Sequence, residues 1–200
     1  MTFEKLFDHN KQEMNGAFVF TPKTFSDDRG YFYESWNKNK FLEIYRALNP
    51  NEKNIKSLEF VQDNQSLSRK GVLRGLHYQI NPYTQGKLVS CINGEIFDVI
   101  VDLRKESKTF GKWAGVYLNE ANFKQIWIPS GFAHGFYSLK DQTRVLYKTT
   151  DFWDKDSERT IIWNDPTINI CWPINEQTPS ISDKDKEGIL LTKIMEHELF

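Results

Sequence analysis

EIFDVIVDLRKESKTFGKWAGVYLNEANFKQIWIPSGFAHGFYSL, residues 95–139, is the stretch whose reading decides the fold. Its apolar segments are EIFDVIVDLR (95–104), KWAGVYL (112–118), KQIWIP (124–129) and GFYSL (135–139). They have the length and the Val, Ile and aromatic content of strands, with Gly, Pro or Asn between them. The pattern continues outward on both sides. LEFVQDNQS (58–66), VLRGLHYQ (72–79) and KLVSCI (87–92) precede it, and RVLYKTTDFW (144–153) follows. Short strands in regular succession predict a mainly β sandwich or barrel rather than a βαβ sheet. Towards the N-terminus, Phe18, Phe20 and Thr24 alternate around Pro22, and Asp27–Gly30 reads as a turn. Tyr31–Trp36 then resumes as a strand. Phe41, Ile44, Tyr45 and Leu48 fall at helical spacing and predict a helix over 37–48, stopped by Asn49-Pro50. The polar run 49–57 reads as a loop. After Trp172 come Pro173, Pro179 and the polar run SDKDKEG (182–188), then a short helix predicted over 189–199. There is no repeat, low-complexity tract or linker, so a single domain is expected over 1–200.

Composition narrows the function. A chain of 200 residues buries roughly 70% of its unfolded surface and needs no disulfide or metal staple. Its 26 basic and 27 acidic residues cancel to a net charge of -1. That balance removes the broad electrostatic warrant for nucleic acid or an anionic membrane as partner. No apolar run reaches the ~20 residues of a membrane span. The charged start MTFEKLFDHNKQE is no secretory signal. Cys91 and Cys171 lack CxxC spacing and read as two reduced, buried thiols of a cytoplasmic protein. Aromatics are abundant, at 14%, and supply flat walls for ring-shaped ligands as well as strand residues.

Chemistry is densest in three places. In Val72–His77, Arg74 and His77 fall on opposite pleat faces unless Gly75 bulges the strand. A surface Arg and a satisfied core His remain the plain alternative. In Pro129–Phe136, Pro129, Gly131 and His134 match the PxGxxH half-motif of cupin-type jelly-roll barrels. Metal-binding cupins pair it with HxH and a Glu, where this chain reads His77-Tyr78-Gln79 and has no acidic residue before Glu95. Two imidazoles fall short of the usual zinc or iron sets, so no metal is expected. Gln62-Asp63-Asn64-Gln65-Ser66 is either a polar turn or a hydrogen-bonding edge for a base or sugar. There is no GxGxxG, no Walker loop and no GxSxG elbow. What remains is His, Lys, Tyr and Asp, a set suited to moving protons beside a carbonyl.

These stretches resemble the dTDP-4-dehydrorhamnose 3,5-epimerase family. The resemblance is carried by DDRGYFYESW (27–36), FVQDNQSLSRKGVLRGLHYQ (60–79), QGKLVSCINGEIFDVIVDLRKESKTFGKW (85–113), QIWIPSGFAHGF (125–136), LYKTTDFW (146–153), IIWNDP (161–166) and ISDKD (181–185). It implies a cupin-type jelly roll with a few short peripheral helices, no cofactor, and a cytoplasmic homodimer. It implies epimerisation at carbons 3 and 5 of a dTDP-linked 4-keto-6-deoxyhexose, within dTDP-L-rhamnose biosynthesis. His77 matches the general base and Asp185 its dyad partner. Tyr147 matches the general acid, and Lys87 the cation on the enolate oxygen. Asp98 and His134 match pocket positions. Arg29, Glu34, Gln62, Asp63, Asn64, Arg74, Glu158 and Lys184 match substrate contacts. Trp153 stands where the family usually has the Tyr that stacks on thymine. The segment 41–57 is longer than usual in the family, and the first 15 residues have no counterpart.

Three rivals stand beside this reading. One is an epimerase acting at carbon 3 alone or on another nucleotide-linked sugar. A second is a silent cupin that only binds sugar nucleotides, which needs neither an acid nor a base. The third, a metal-dependent oxygenase, lacks its ligand motif.

Overall fold

The computed structural model describes residues 2–49, 58–175 and 178–200. The strands are β1 (Thr2–Phe7), β2 (Glu13–Thr21), β3 (Thr24–Asp27), β4 (Gly30–Tyr33), β5 (Gln62–Ser68), β6 (Leu73–Gln79) and β7 (Lys87–Asn93). They continue with β8 (Glu95–Asp102), β9 (Trp113–Asn119), β10 (Gln125–Ile128), β11 (Phe132–Ser138), β12 (Thr143–Thr149) and β13 (Glu158–Thr160). Among the described residues there are two α-helices, α1 (Lys38–Leu48) and α2 (Asp183–Lys186). A six-stranded antiparallel sheet runs β1-β2-β10-β7-β12-β5, and a five-stranded one runs β13-β6-β11-β8-β9. The predicted mainly β, cupin-type architecture is what forms.

Alternation builds the layers. Val89 and Cys91 of β7, Ile126 and Ile128 of β10 and Val145 of β12 face Ile96 and Ile100 of β8 and Phe132 and Phe136 of β11, making the core between the sheets. The residues in between point outward. Trp127, Leu88, Phe18 and Phe20 on the outer face of the six-stranded sheet are covered by Phe41, Leu42 and Tyr45 of α1. That helix begins where expected, with Asn37 as N-cap accepting from the Lys40 N–H. On the outer face of the five-stranded sheet, Tyr78, Val99 and Val101 pack with Ile161, Ile168 and Leu191 from the C-terminal third.

Four expectations need correction or a limit. The helix over 189–199 is replaced by two 3₁₀ turns, Leu191–Lys193 and Glu196–Glu198. Leu191, Ile194, Leu199 and Phe200 each dock on the five-stranded sheet, and one continuous helix could not turn all of them to it. Tyr31–Trp36 is a strand only to Tyr33. Cys91 is buried but Cys171 is exposed, because its neighbours Ile170 and Trp172 turn inward and leave it facing out. The expected loop over 49–57 falls almost wholly outside the described residues.

Candidate active site

One open end of the sandwich holds a cavity of about 650 Å³, lined from both sheets. β6 supplies Arg74 and His77 to the same cavity, and the reason is local. β11 advances two residues, His134 to Phe136, while β6 advances three between their partners, His77 and Arg74. The extra residue is a bulge at Gly75, which turns Arg74 onto the face of His77. Gly75 has φ +113°, and an added Cβ would lie 2.6 Å from Gly135 Cα and 2.7 Å from the His134 carbonyl oxygen. Only glycine fits that crossing.

His77 Nε2 lies 2.6 Å from Asp185 Oδ1. Asp185 sits in the single turn of α2, which Ser182 caps, and its other oxygen accepts the Gly75 N–H at 3.2 Å. Burial raises the Asp185 pKa, but the bonds from His77, Gly75 and Ser182 outweigh it and hold the carboxyl below its ordinary value. A carboxylate on Nε2–H fixes the tautomer and leaves Nδ1 as the basic nitrogen. Beside it stands a second pair. His134 is the cross-strand neighbour of His77, and its Nε2 lies 2.8 Å from Asp98 Oδ2. Asp98 is fully buried, and burial pushes its pKa up against the pull of His134 and Lys87.

The six-stranded sheet supplies the facing wall. Lys87 of β7 and Tyr147 of β12 both line the cavity. The Lys87 ammonium reaches the His77 carbonyl oxygen only at 3.4 Å. Burial brings its pKa down to about 8, with Glu158 and Asp98 opposing the fall. It stays mostly protonated at neutral pH. Burial raises the Tyr147 pKa, so the phenol keeps its proton there. At the rim, Lys184 pairs with Glu158 at 2.5 Å, and the Trp153 indole also donates to Glu158. Those two bonds hold the Glu158 carboxyl below its ordinary pKa against the effect of burial. Gln62 and Asn64 point inward from β5 and bond each other at 2.8 Å.

Most of the residues singled out in the sequence therefore meet in one chamber. Three do not. Strand alternation turns Asp63 to the outer face, where it pairs with Lys148 at 2.9 Å. Arg29 and Glu34 belong to the β3–β4 hairpin segment, pair with Asp27 and Lys40, and line no part of this cavity. Asp98 stands one layer back, behind His134. Sequence reasoning missed Gln85 and Ser182 as lining residues. Ser66, the last of the 62–66 group, follows the Gln62, Asn64 period into the cavity. Among the described residues no three His, Cys, Asp or Glu side chains converge as a metal set.

Residues 11–193 match the family described as dTDP-4-dehydrorhamnose 3,5-epimerase. A protein of that name from Shigella flexneri is 53% identical over 178 residues, covering 89% of this chain and 92% of the relative. Another from Pseudomonas aeruginosa is 51% identical over 170 residues, covering 85% and 88%. The crystal structure of the dTDP-6-deoxy-D-glucose-3,5-epimerase of Legionella pneumophila, in complex with dTDP-4-keto-L-rhamnose, superposes with TM-score 0.85. It is 43% identical, with 99% of this chain and 97% of that chain covered. A cupin-type chamber with these relatives defines the class: an isomerase of nucleotide-linked sugars. The chain belongs to the dTDP-4-dehydrorhamnose 3,5-epimerase family.

Proposed function

We propose that this cavity epimerises carbons 3 and 5 of dTDP-4-dehydro-6-deoxy-D-glucose, giving dTDP-4-dehydro-L-rhamnose, without metal or redox cofactor. One observation carries the reading: His77 on one sheet, bonded to Asp185 of α2, faces a protonated phenol and a half-buried ammonium on the other sheet. The 4-keto group acidifies the C–H bonds on both sides of it. His77, held by Asp185, takes a proton from one face, and the C–H electrons move to the carbonyl oxygen. Lys87 stabilises that enolate oxygen, with Asp98 and Glu158 helping to keep it charged. Preorganised charge of this kind is worth several kcal/mol in a site shielded from water. Tyr147 returns a proton to the carbon from the opposite face, and the ketone re-forms. The imidazolium then gives its proton to solvent and the phenolate takes one back, and a second cycle inverts the other carbon.

Substrate binding follows from the rim. Arg74 and Lys184 offer cations to the pyrophosphate, Gln62 and Asn64 offer amides, and Trp153 offers a face to the base. Phe25, Tyr31 and Phe32 of the β3–β4 hairpin are 55%, 59% and 70% exposed, which supports a homodimer that covers them. In that dimer Arg29 and Glu34 serve the partner's cavity. The reading places 1–200 in one cytoplasmic domain. Among the described residues no helix is long and apolar enough to cross a membrane.

The test is product identity. NMR of the reaction with the dTDP-linked 4-keto-6-deoxyglucose should show both carbons inverted. Product inverted at carbon 3 alone, or turnover only of a sugar carried on another nucleotide, would overturn the assignment.

A further inference from the structure

Trp153 is carried by a segment, Asp151–Asp154, that belongs to no strand or helix. Its backbone groups need partners from elsewhere, since polar backbone that leaves water is rarely left unpaired. Three glutamines from separate parts of the chain supply them. Gln79 Oε1 accepts the Asp154 N–H at 2.9 Å, and its Nε2 donates to the Phe152 carbonyl at 3.2 Å. The same Nε2 donates to the Tyr83 carbonyl at 2.5 Å, tying in the loop that leads to β7. Gln62 Oε1 accepts the Trp153 N–H at 3.0 Å, and Gln85 Nε2 donates to the Asp151 carbonyl at 2.8 Å.

Gln79 is the centre of this clamp. It is 4% exposed, and it grips the chain on both sides of Trp153. The position asks for an acceptor at one end and two donor hydrogens at the other, within one uncharged side chain. A glutamine amide has that inventory. A carboxylate would set its oxygens against two carbonyls, and a thioether would leave all three partners unpaired. Trp153 itself is 55% exposed, so packing does little to fix its ring. The backbone clamp and the indole bond to Glu158 are what hold it. Gln79 also closes the His77-Tyr78-Gln79 triplet, which in the metal-binding motif of this fold would end in an imidazole.

We propose that Gln79 is a positioning residue for nucleotide binding, holding the Trp153 indole as a ready-made platform for a flat heteroaromatic base. The inference rests on the reading of Trp153 as a nucleoside contact given above. A platform fixed before binding spares the cost of ordering a loop and a large ring when the ligand arrives. The effect belongs to ground-state affinity, because the clamp does not touch the reacting carbons.

The experiment is a double-mutant cycle read by calorimetric titration with thymidine diphosphate. Wild type, Gln79→Met, Trp153→Ala and the double variant are compared, and KM and kcat are measured for each. The expected result is that each single change weakens binding on the order of tenfold, while the double variant binds no worse than Trp153→Ala. Gln79→Met should raise KM and leave kcat near wild type. If Gln79→Met binds like wild type, or costs as much when residue 153 is alanine, Gln79 does not act through Trp153. A loss in Trp153→Ala would then leave the stacking role standing by itself. Wild-type affinity in Trp153→Ala would overturn the platform and the proposal together. Should Gln79→Met fail to fold, Gln85→Met enters the same cycle, with non-additivity supporting the clamp and additivity overturning it.

Discussion

Replacing His77 with alanine is expected to stop solvent deuterium from entering the substrate at either carbon, while the nucleotide sugar still binds. The argument starts from the couple with Asp185. The carboxylate sits on Nε2 at 2.6 Å, is fixed by the Gly75 N–H and the Ser182 cap, and keeps a low pKa. It therefore orients the ring and stabilises the imidazolium that forms when a proton is taken. Removing the ring removes the acceptor. Loss of a general base costs on the order of 10²–10⁴-fold or more, and here both exchange and inversion need it. Binding should survive, because the rim groups Arg74, Lys184, Gln62 and Asn64 are untouched. The measurement is an NMR time course in deuterium oxide together with a titration of nucleotide affinity. Exchange at a near wild-type rate would reject His77 as the base, as it would if His134, with its own carboxylate, took the proton instead.

The second large effect separates acid from base. Tyr147→Phe deletes one hydroxyl and keeps a ring that packs against the inter-sheet core, so the fold should be little disturbed. His77, Asp185 and Lys87 stay in place, and proton removal continues. The enolate is then reprotonated from the face it came from, by an imidazolium that has exchanged with solvent. Deuterium should enter at a rate within about tenfold of wild type, while inverted product falls on the order of 10²–10⁴-fold. Burial raises the phenol pKa, so wild-type Tyr147 holds its proton at neutral pH and can donate it. Equal loss of exchange and inversion, or loss of neither, would contradict this role.

The parts of this picture differ in how far they could be read from residues alone. The strands were legible because short runs rich in Val, Ile and aromatics, such as EIFDVIVDLR and KQIWIP, are punctuated by Gly, Pro or Asn. α1 was legible to within a residue from its apolar spacing and its Asn49-Pro50 stop. The shared face of Arg74 and His77 was legible only as a condition on Gly75, and the register of β6 against β11 meets it. The His77–Asp185 couple was reached through family resemblance. Its members are 108 positions apart, and the one-turn helix that presents Asp185 has no apolar period to betray it. The C-terminal turns were misread because packing on a finished sheet decided their shape. Cys171 was misplaced because irregular backbone gives no rule for which side faces out. The glutamine clamp around Trp153 left no local pattern, since Gln62, Gln79 and Gln85 acquire a common task only once three pieces of chain meet.

The central claim is that one cavity moves solvent-exchangeable protons at both carbons flanking the ketone. Its most direct test is wild-type turnover of the dTDP-linked 4-keto-6-deoxyglucose in deuterium oxide, with deuterium located by NMR. The account predicts deuterium at carbon 3 and at carbon 5 of the inverted product. Inversion without deuterium, or deuterium at one of the two carbons only, would contradict it.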